Sequence, residues 1–335
     1  MKLINNISFE QKFLQELLLG EKIIDNCSLK KINPENLVKF SSSYLILPSL
    51  YINLKKNKLI KFFPVDFLNY LSEIYKINLN RNNKLLKESD ELSQILKSEK
   101  IDFRFIKGIS YYREGIYDDL GERMIGDIDI LVKGEDFIKT INILNSHKYF
   151  GDPPFKYMKN RHAPRLINSD KLGAVEVHKE VLLYSKKNIL PGNRFFKNKS
   201  FDFDDISNLC ILNFQINDYG HLYARYSFKA CYDLKMIRKF ANKEINFIEN
   251  TYVKRFFLVA NKRGFTHQNI NLNFFDKLYM FRINYKQFKP LKYIDNAVCY
   301  LIKYIPIRVK QILEFCYSKF YRNKIFKIIR SKYLQ

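Results

Sequence analysis

The strongest constraint on this chain is a series of three short runs with strand-like patterns in its middle third. They are 101–106, 127–132 and 174–178, and segments with helical spacing separate them. Strands that alternate with helices are typical of an α/β unit. We therefore expect a small mixed sheet of about four to six strands, a common sheet size, between residues 100 and 205.

The sequence on both sides of this unit favours helices. Ser8 and Gln11 form a capping pattern before an apolar run, and Pro34 stands where the first residue of a helix would. Apolar residues at i, i+3 and i+4 predict a third helix from near Pro64, with a break, to near Leu96. From about residue 203 onward the pattern is helical again.

These patterns predict an α/β (α+β) chain with a small mixed-sheet core between two helical regions. We assign residues 1–98 to an N-terminal helical region and residues 99–205 to the core. Residues 206–335 form a C-terminal helical region that ends in a basic tail. The sequence shows no internal repeat.

The composition restricts the partners without naming one. Lys and Arg number 58 against 34 Asp and Glu, a net charge of +24, which attracts nucleic acid, anionic lipid or nucleotide phosphates. AT-rich codon usage would produce the same excess of lysine. The five cysteines are scattered without CxxC spacing, so a disulfide scaffold or structural zinc site is not expected. We find no signal-peptide pattern and no run of 18 apolar residues, and we expect a cytoplasmic protein.

The sharpest chemical feature is the pair Asp127 and Asp129. Residues i and i+2 of a strand point to the same face, so both carboxylates would lie side by side. Two adjacent carboxylates repel each other unless a cation lies between them, and their hard oxygens suit Mg²⁺ or Mn²⁺. The alternative is the solvated end of an ordinary strand.

Two further features accompany this pair. Glu176 lies between apolar neighbours on another expected strand and could supply a third carboxylate. Upstream, Gly108 follows a strand and precedes a helix, where a glycine lets backbone N–H groups approach a phosphate. An acidic pair, a third acid and a glycine turn together favour a phosphate-handling site.

In combination, these residues resemble a known family, the uncharacterised nucleotidyltransferases of the DNA polymerase β superfamily. The resemblance covers about residues 40–240. The matching motifs are Ile106-Lys107-Gly108, Tyr117, Arg123, Asp127 to Val132, Lys148-Tyr149, His162 and Glu176-Val177-His178.

The resemblance implies metal-dependent transfer of a nucleoside monophosphate from an NTP. Asp127, Asp129 and Glu176 would be the catalytic acids and hold Mg²⁺ or Mn²⁺ against the nucleotide phosphates. The residues implied in nucleotide binding are Lys107, Gly108, Ser110 and Arg123. Those that could contact substrate or support the metal ligands are His162, His178, His221 and Asp233.

The chain departs from the family pattern at the glycine turn. The usual Gly-Gly or Gly-Ser is here Gly108-Ile109-Ser110, and 19 residues (127 − 108) separate Gly108 from Asp127. The helix that follows the core carries one histidine, His221, where the family leads us to expect two.

The C-terminal tail is a second basic feature. Residues 291–335 hold ten Lys and Arg against two acids, and an apolar stripe follows one helical face. The stripe comprises Val309, Ile312, Leu313, Cys316 and Phe320. Three interpretations stay open: an anionic membrane surface, which would put the protein at the inner membrane face, nucleic acid, or a helix docked on the core.

Our leading hypothesis is a nucleotidyltransferase whose acceptor, a small molecule or sugar, a protein or an RNA end, is not determined by the sequence. The alternative is a non-catalytic module with the same fold that recruits nucleic acid or anionic membrane through its basic surface. A module without turnover has no need of three intact acids, which favours the enzyme.

Overall fold

The computed structural model describes residues 8–20, 29, 31–151, 160–197, 202–266, 269–286, 288–319, 322–323 and 325–326. Cys27, Phe320 and the end of the basic tail lie outside these residues. The chain forms two compact units. The first comprises Met1–His221 and Tyr226–Ile270, and the second comprises Leu222–Arg225 and Asn271–Gln335. The division of the chain into residues 1–98, 99–205 and 206–335 stays a prediction.

The first unit opens with four helices whose full extent lies within the described residues. These are α1 (Phe9–Leu18), α2 (Pro34–Ser43), α3 (Leu47–Lys56) and α4 (Val65–Ser98). The side chain of Ser8 accepts a hydrogen bond from the backbone N–H of Gln11, and Asn33 does the same for Asn36, so both N-termini begin where the capping residues indicated.

Helix α4 is unbroken, so the predicted interruption was wrong. No glycine or proline occurs between Val65 and Ser98, and nothing therefore stops the hydrogen-bond ladder. Leu71, Leu85 and Leu92 are fully buried along one face. The result is one rigid helix of 34 residues against which the core is built.

The sheet is small and mixed, as predicted. Its strands are β1 (Phe103–Ile106), β2 (Ile128–Val132) and β3 (Val175–His178), in the order β1-β2-β3. Strand β2 pairs antiparallel with β1 and parallel with β3. Helix α5 (Lys107–Arg113) follows β1 directly, and α6 (Phe137–Ser146) follows β2. Every residue of β2 is buried, which makes it the centre of the core.

Three strands are fewer than the four to six that we expected of this region, as far as the described residues show. The segments beside β3 contribute only isolated bridges, Phe150 to Ile167, His162 to His178 and Leu166 to Val175. Pro164 lies within this stretch and has no N–H to donate, which keeps the bridges from joining into a ladder.

Helices complete the chain. In the first unit, α7 (Phe203–Leu212) continues into a π-helical turn (Asn213–Asn217), and α8 (Phe228–Ala241) and α9 (Thr251–Lys262) follow. The second unit contains α10 (Phe274–Tyr285) and α11 (Lys289–Tyr317). None of the described helices has the length and apolar character needed to cross a bilayer.

Candidate active site

The central strand brings two of the predicted acids to one place. Asp127 immediately precedes β2, and Asp129 lies within it. The antiparallel register sets Asp129 opposite Ile106, and the parallel register sets it opposite Glu176. A carboxylate on β2 and one on β3 therefore face each other directly across a pair of hydrogen-bonded strands.

His178 links these two acids. Its Nε2 lies 2.7 Å from Oδ1 of Asp129 and 3.5 Å from Oε2 of Glu176. The His178 side chain is fully buried, and its Nδ1 has no hydrogen-bond partner among the described residues. A neutral imidazole must carry its proton on Nε2 to donate to an ionised Asp129, so this histidine fixes the position of that carboxylate.

Asp127 lies closer to solvent. Its side chain is 24% exposed, against 3% for Asp129 and 9% for Glu176. Arg165 joins Asp127 to Glu176, because Nη2 donates to Oδ2 of Asp127 at 3.1 Å and Nε donates to Oε1 of Glu176 at 3.0 Å. All three carboxylates thus belong to one connected cluster.

The acids differ in how readily they ionise. Burial raises the pKa of Asp127, and repulsion from Asp129 and Glu176 raises it further. Burial would also raise the pKa of Asp129, but Lys107 and His178 outweigh it and hold that pKa below its usual value. The pKa of Glu176 is lowered likewise, since His178 and Arg165 outweigh burial. Of the three acids, Asp127 is therefore the one whose ionised form is destabilised by repulsion from the other carboxylates.

Lys107 supplies the buried counter-charge. Its Nζ lies 2.5 Å from Oδ1 of Asp129, and its side chain is 20% exposed. The backbone of Lys107 has a φ of +58°, the left-handed region that non-glycine residues rarely adopt. Strain of this kind collects at functional sites. We expected the special backbone at Gly108, but the sharp turn from β1 into α5 is made by the lysine before it.

Gly108 is needed for space. A Cβ on this residue would lie 2.5 Å from Nη1 of Arg123, too close for any real contact. The missing side chain lets the Arg123 guanidinium pass directly over the backbone at the start of α5. The sequence led us to expect a phosphate close to this glycine; the group that approaches it in this structure is a protein side chain, and its role in nucleotide binding stays a prediction.

Arg123 is held by Asp233 of α8. Nε of Arg123 donates to Oδ1 at 2.7 Å and Nη2 donates to Oδ2 at 2.9 Å, a bidentate pair. The hydroxyl of Tyr117 donates to Oδ1 at 2.6 Å. Burial opposes the charge on Arg123, but Asp233 outweighs it and holds the pKa of the guanidinium above its usual value. Two residues predicted independently, Arg123 and Asp233, are therefore partners in one buried ion pair.

The long segment between Gly108 and Asp127 is tied to α4. Nδ2 of Asn78 donates to the carbonyl of Gly121 at 2.7 Å, and Nδ2 of Asn82 donates to the carbonyl of Arg123 at 2.8 Å. Arg81 donates to the carbonyls of Ile125 and Gly126 at 3.2 Å and 2.8 Å. These side chains of α4 position the loop that leads from Arg123 to Asp127.

An open cavity of about 270 Å³ adjoins the acids. Asp127 and Asp129 line one side, together with Lys107, Gly108 and Arg123. The opposite side is formed by the end of α7, the π-helical turn and the start of α8. A π-helical turn is uncommon and often occurs at a functional site. Carboxylates and cationic groups therefore line the same cavity.

One of these cations, Lys229, was not among the residues predicted from the sequence. It is the second residue of α8, lines the cavity and donates to the carbonyl of Met124 at 3.1 Å. Burial lowers the pKa of its ammonium group to about 8, and repulsion from Arg123 contributes. The available signal was a lysine between Phe228 and Ala230 at the start of an apolar helix face.

The other predicted residues lie at different places. Ser110 is buried, and its hydroxyl donates to the carbonyl of Lys107 at 2.8 Å, so it closes the first turn of α5. The His162 ring centroid lies 4.8 Å from that of His178, and burial, with repulsion from His178, lowers its pKa to about 4. His221 does not line the cavity; its Nδ1 lies 2.5 Å from the carbonyl oxygen of Gln215.

The acidic cluster suits a divalent cation. One ligand atom each from Asp129, Glu176 and His178 lie within 4.8 Å of one another, and no other described residues form a comparable group of acids, histidines or cysteines. The carboxylate of Asp127, which lies beside this group, could add a further oxygen ligand. Carboxylate oxygens fit Mg²⁺ or Mn²⁺ better than a thiophilic metal.

A small mixed sheet, flanking helices and acids on two adjacent strands are the features of a nucleotidyltransferase core. Comparison with known families agrees: a family described as uncharacterised nucleotidyltransferase matches residues 30–205, slightly more than half of the chain. The chain belongs to this family. No curated protein and no solved structure matched it.

Proposed function

We propose that this protein transfers a nucleoside monophosphate from an NTP to an acceptor, with a divalent metal held by Asp127, Asp129 and Glu176. The observation that carries the proposal is the convergence of the acids beside a cavity that Lys107, Arg123 and Lys229 also line. The cluster of Asp129, Glu176 and His178 spans 4.8 Å, and Asp127 shares Arg165 with Glu176. A binding surface for polyanions would not need carboxylates at its centre.

The cations of the cavity have a clear task in this proposal. Lys107, Arg123 and Lys229 line the same space as Asp127 and Asp129. A triphosphate in that space would be neutralised by point charges from the lysines, while Arg123 is already engaged by Asp233 and would shape the wall. Positioning and charge neutralisation supply most of the catalysis in phosphoryl and nucleotidyl transfer.

A bound divalent metal would polarise the transferred phosphate and activate the attacking oxygen. Before it binds, Lys107 and Arg165 are the counter-ions of the carboxylates, and both must release them. Arg165 is 62% exposed and can swing into solvent, whereas Lys107 is only 20% exposed. We infer that Lys107 moves from Asp129 towards the nucleotide phosphates and that His178 keeps Asp129 in position meanwhile.

The first test is calorimetric titration of each NTP with Mn²⁺ into the full chain. The expected result is nucleotide binding that requires metal and is lost in Asp129→Asn. Asp170→Asn removes an exposed carboxylate outside the cluster and serves as the matched control, with unchanged binding expected. Metal-dependent binding of equal strength in Asp129→Asn and wild type would remove the metal assignment.

The second test identifies the acceptor. The protein is incubated with each α-labelled NTP, Mg²⁺ or Mn²⁺ and a cell extract, and the labelled product is separated as small molecule, protein or RNA. Label that appears with wild type and not with Asp129→Asn supports the transferase. Tight nucleotide binding with no labelled product would support the non-catalytic module.

A further inference from the structure

The second unit presents a large apolar surface to solvent. Among the described residues of α11, only Asp295 and Cys299 are buried. A stripe along the rest of the helix comprises Leu291, Ile294, Val298, Leu301, Ile305 and Ile312, each between 42% and 63% exposed. Monomeric soluble proteins rarely leave contiguous apolar patches of more than a few hundred Å². Such a surface needs a partner.

Helix α10 extends the surface within the same unit. Phe274, Leu278 and Phe281 are spaced i, i+4 and i+7 and are 50% to 69% exposed. Asp295 ties the two helices together, because Arg282 of α10 donates to it at 2.6 Å and 2.8 Å. We call these exposed apolar faces of α10 and α11 the α10–α11 surface.

The charges of this unit are strongly one-sided. Residues 271–335 contain 14 Lys and Arg against three acids, a net +11. One of the acids, Asp295, is already neutralised by Arg282 and by Lys286 at 2.7 Å. At 100° per residue, Lys292, Lys303 and Lys310 lie on the side of α11 opposite the apolar stripe, whose residues span about 80°, roughly a quarter of the helix circumference.

We propose that the α10–α11 surface binds an anionic lipid bilayer surface, with its apolar side chains in the headgroup boundary. An apolar face with lysines opposite it is the pattern of helices that lie in the membrane interface. Two copies of a unit with this charge would repel each other. Nucleic acid would neutralise the lysines but would leave the exposed isoleucines and phenylalanines in water.

The test is sedimentation of the full chain with vesicles of phosphatidylcholine alone or mixed with phosphatidylserine, at low and high salt. Binding is expected to the mixed vesicles and to weaken as salt screens the surface charge. Each cation near the surface contributes about five-fold, so Lys292→Gln/Lys310→Gln should bind about 25-fold more weakly. The matched control Lys84→Gln/Lys87→Gln removes the same charge from exposed positions on α4 and should bind nearly as wild type.

The apolar contribution is tested separately. Ile305→Ser/Ile312→Ser keeps every charge and should weaken binding by about 100-fold, since each isoleucine leaves the lipid boundary. Ile77→Ser, at a position 62% exposed on α4, is its control. Circular dichroism verifies that α11 stays helical in each variant.

Three results would overturn the proposal. The first is no sedimentation with either vesicle at low salt. The second is equal loss in the α4 control, which would assign the attraction to net charge alone. The third is a protein that does not bind the mixed vesicles but has another partner. That partner would be a second copy of the chain if the protein self-associates at micromolar concentration and Ile305→Ser/Ile312→Ser abolishes this. It would be nucleic acid if the protein binds poly(U) RNA and the same variant leaves this binding unchanged.

Discussion

Lys229 allows the sharpest prediction about the cavity, because it is charged where the fold disfavours a charge. Its pKa falls from 10.5 to about 8, first through burial and then through repulsion from Arg123. A difference of that size amounts to about 3 kcal/mol. The hydrogen bond to the Met124 carbonyl, at 3.1 Å, returns about 1 kcal/mol. We therefore expect Lys229→Met to stabilise the nucleotide-free protein by about 2 kcal/mol near neutral pH.

The stability difference between wild type and Lys229→Met should also depend on pH in a definite direction. A lowered lysine pKa means that the folded state binds fewer protons than the unfolded state between pH 8 and 10.5, so wild-type stability rises with pH through that window. Below it, both states are protonated and the full cost is present. The advantage of Lys229→Met should thus shrink by about 2 kcal/mol between neutral pH and about pH 9.5.

The assay is urea denaturation followed by far-UV circular dichroism, because the chain has no tryptophan. Lys97→Met, at an exposed position on α4, is the control and should show neither the gain nor its pH dependence. Lys229→Met should also bind NTP more weakly than wild type, because it lacks the charge that would face the phosphates. If Lys229→Met is less stable than wild type at neutral pH, or equally stable at all pH values, the lysine is not destabilised by burial and the reasoning fails.

Two further predictions concern the turn and the acids. Gly108→Ala should lower the free energy of unfolding by about 1–3 kcal/mol, because the new Cβ would lie 2.5 Å from Nη1 of Arg123. Gly134→Ala is the control and should not lower it, since a Cβ there would meet nothing within 4 Å. Urea denaturation measures both variants. Without divalent metal, Asp129→Asn should lose about 1–3 kcal/mol by removing the partner of a half-buried lysine, while Asp127→Asn, which relieves repulsion, should retain or slightly gain stability. Thermal unfolding in EDTA measures both variants. If Asp127→Asn is destabilised and Asp129→Asn is not, the repulsion destabilises Asp129 rather than Asp127.

The sequence predicted the acidic cluster because a strand has a fixed geometry. With a period of two, Asp127 and Asp129 had to share a face, and the alternation around Glu176 placed it on another strand. Which residue of β3 lies opposite Asp129 depends on register, and periodicity alone does not determine it. The exact pairing of Asp129 with Glu176 is a property of the folded sheet.

Other features of the site depend on contacts between distant residues. The pairing of Arg123 with Asp233 joins positions 110 apart in the chain, and the anchoring of the loop by Asn78 and Asn82 joins positions about 40 apart. Each residue alone looks like an ordinary polar side chain. The left-handed backbone of Lys107 was equally hidden, since local rules assign that conformation to the glycine that follows it.

The limits of the family match bear on where specificity lies. The matched stretch ends at residue 205, whereas Lys229 and Asp233 belong to α8 and form part of the opposite wall of the cavity. The acids, Lys107 and Arg123 all fall inside the match. The proposed metal ligands and Lys107 are thus within the matched stretch, whereas Lys229 and the other groups that complete the cavity come from the helices after it. We expect substitutions in α7 and α8 at the cavity wall to change which nucleotide or acceptor is used while the acids continue to bind metal. Metal affinity and nucleotide preference, measured separately in such variants, should therefore respond independently, and a joint loss of both would show that the two walls act as one unit.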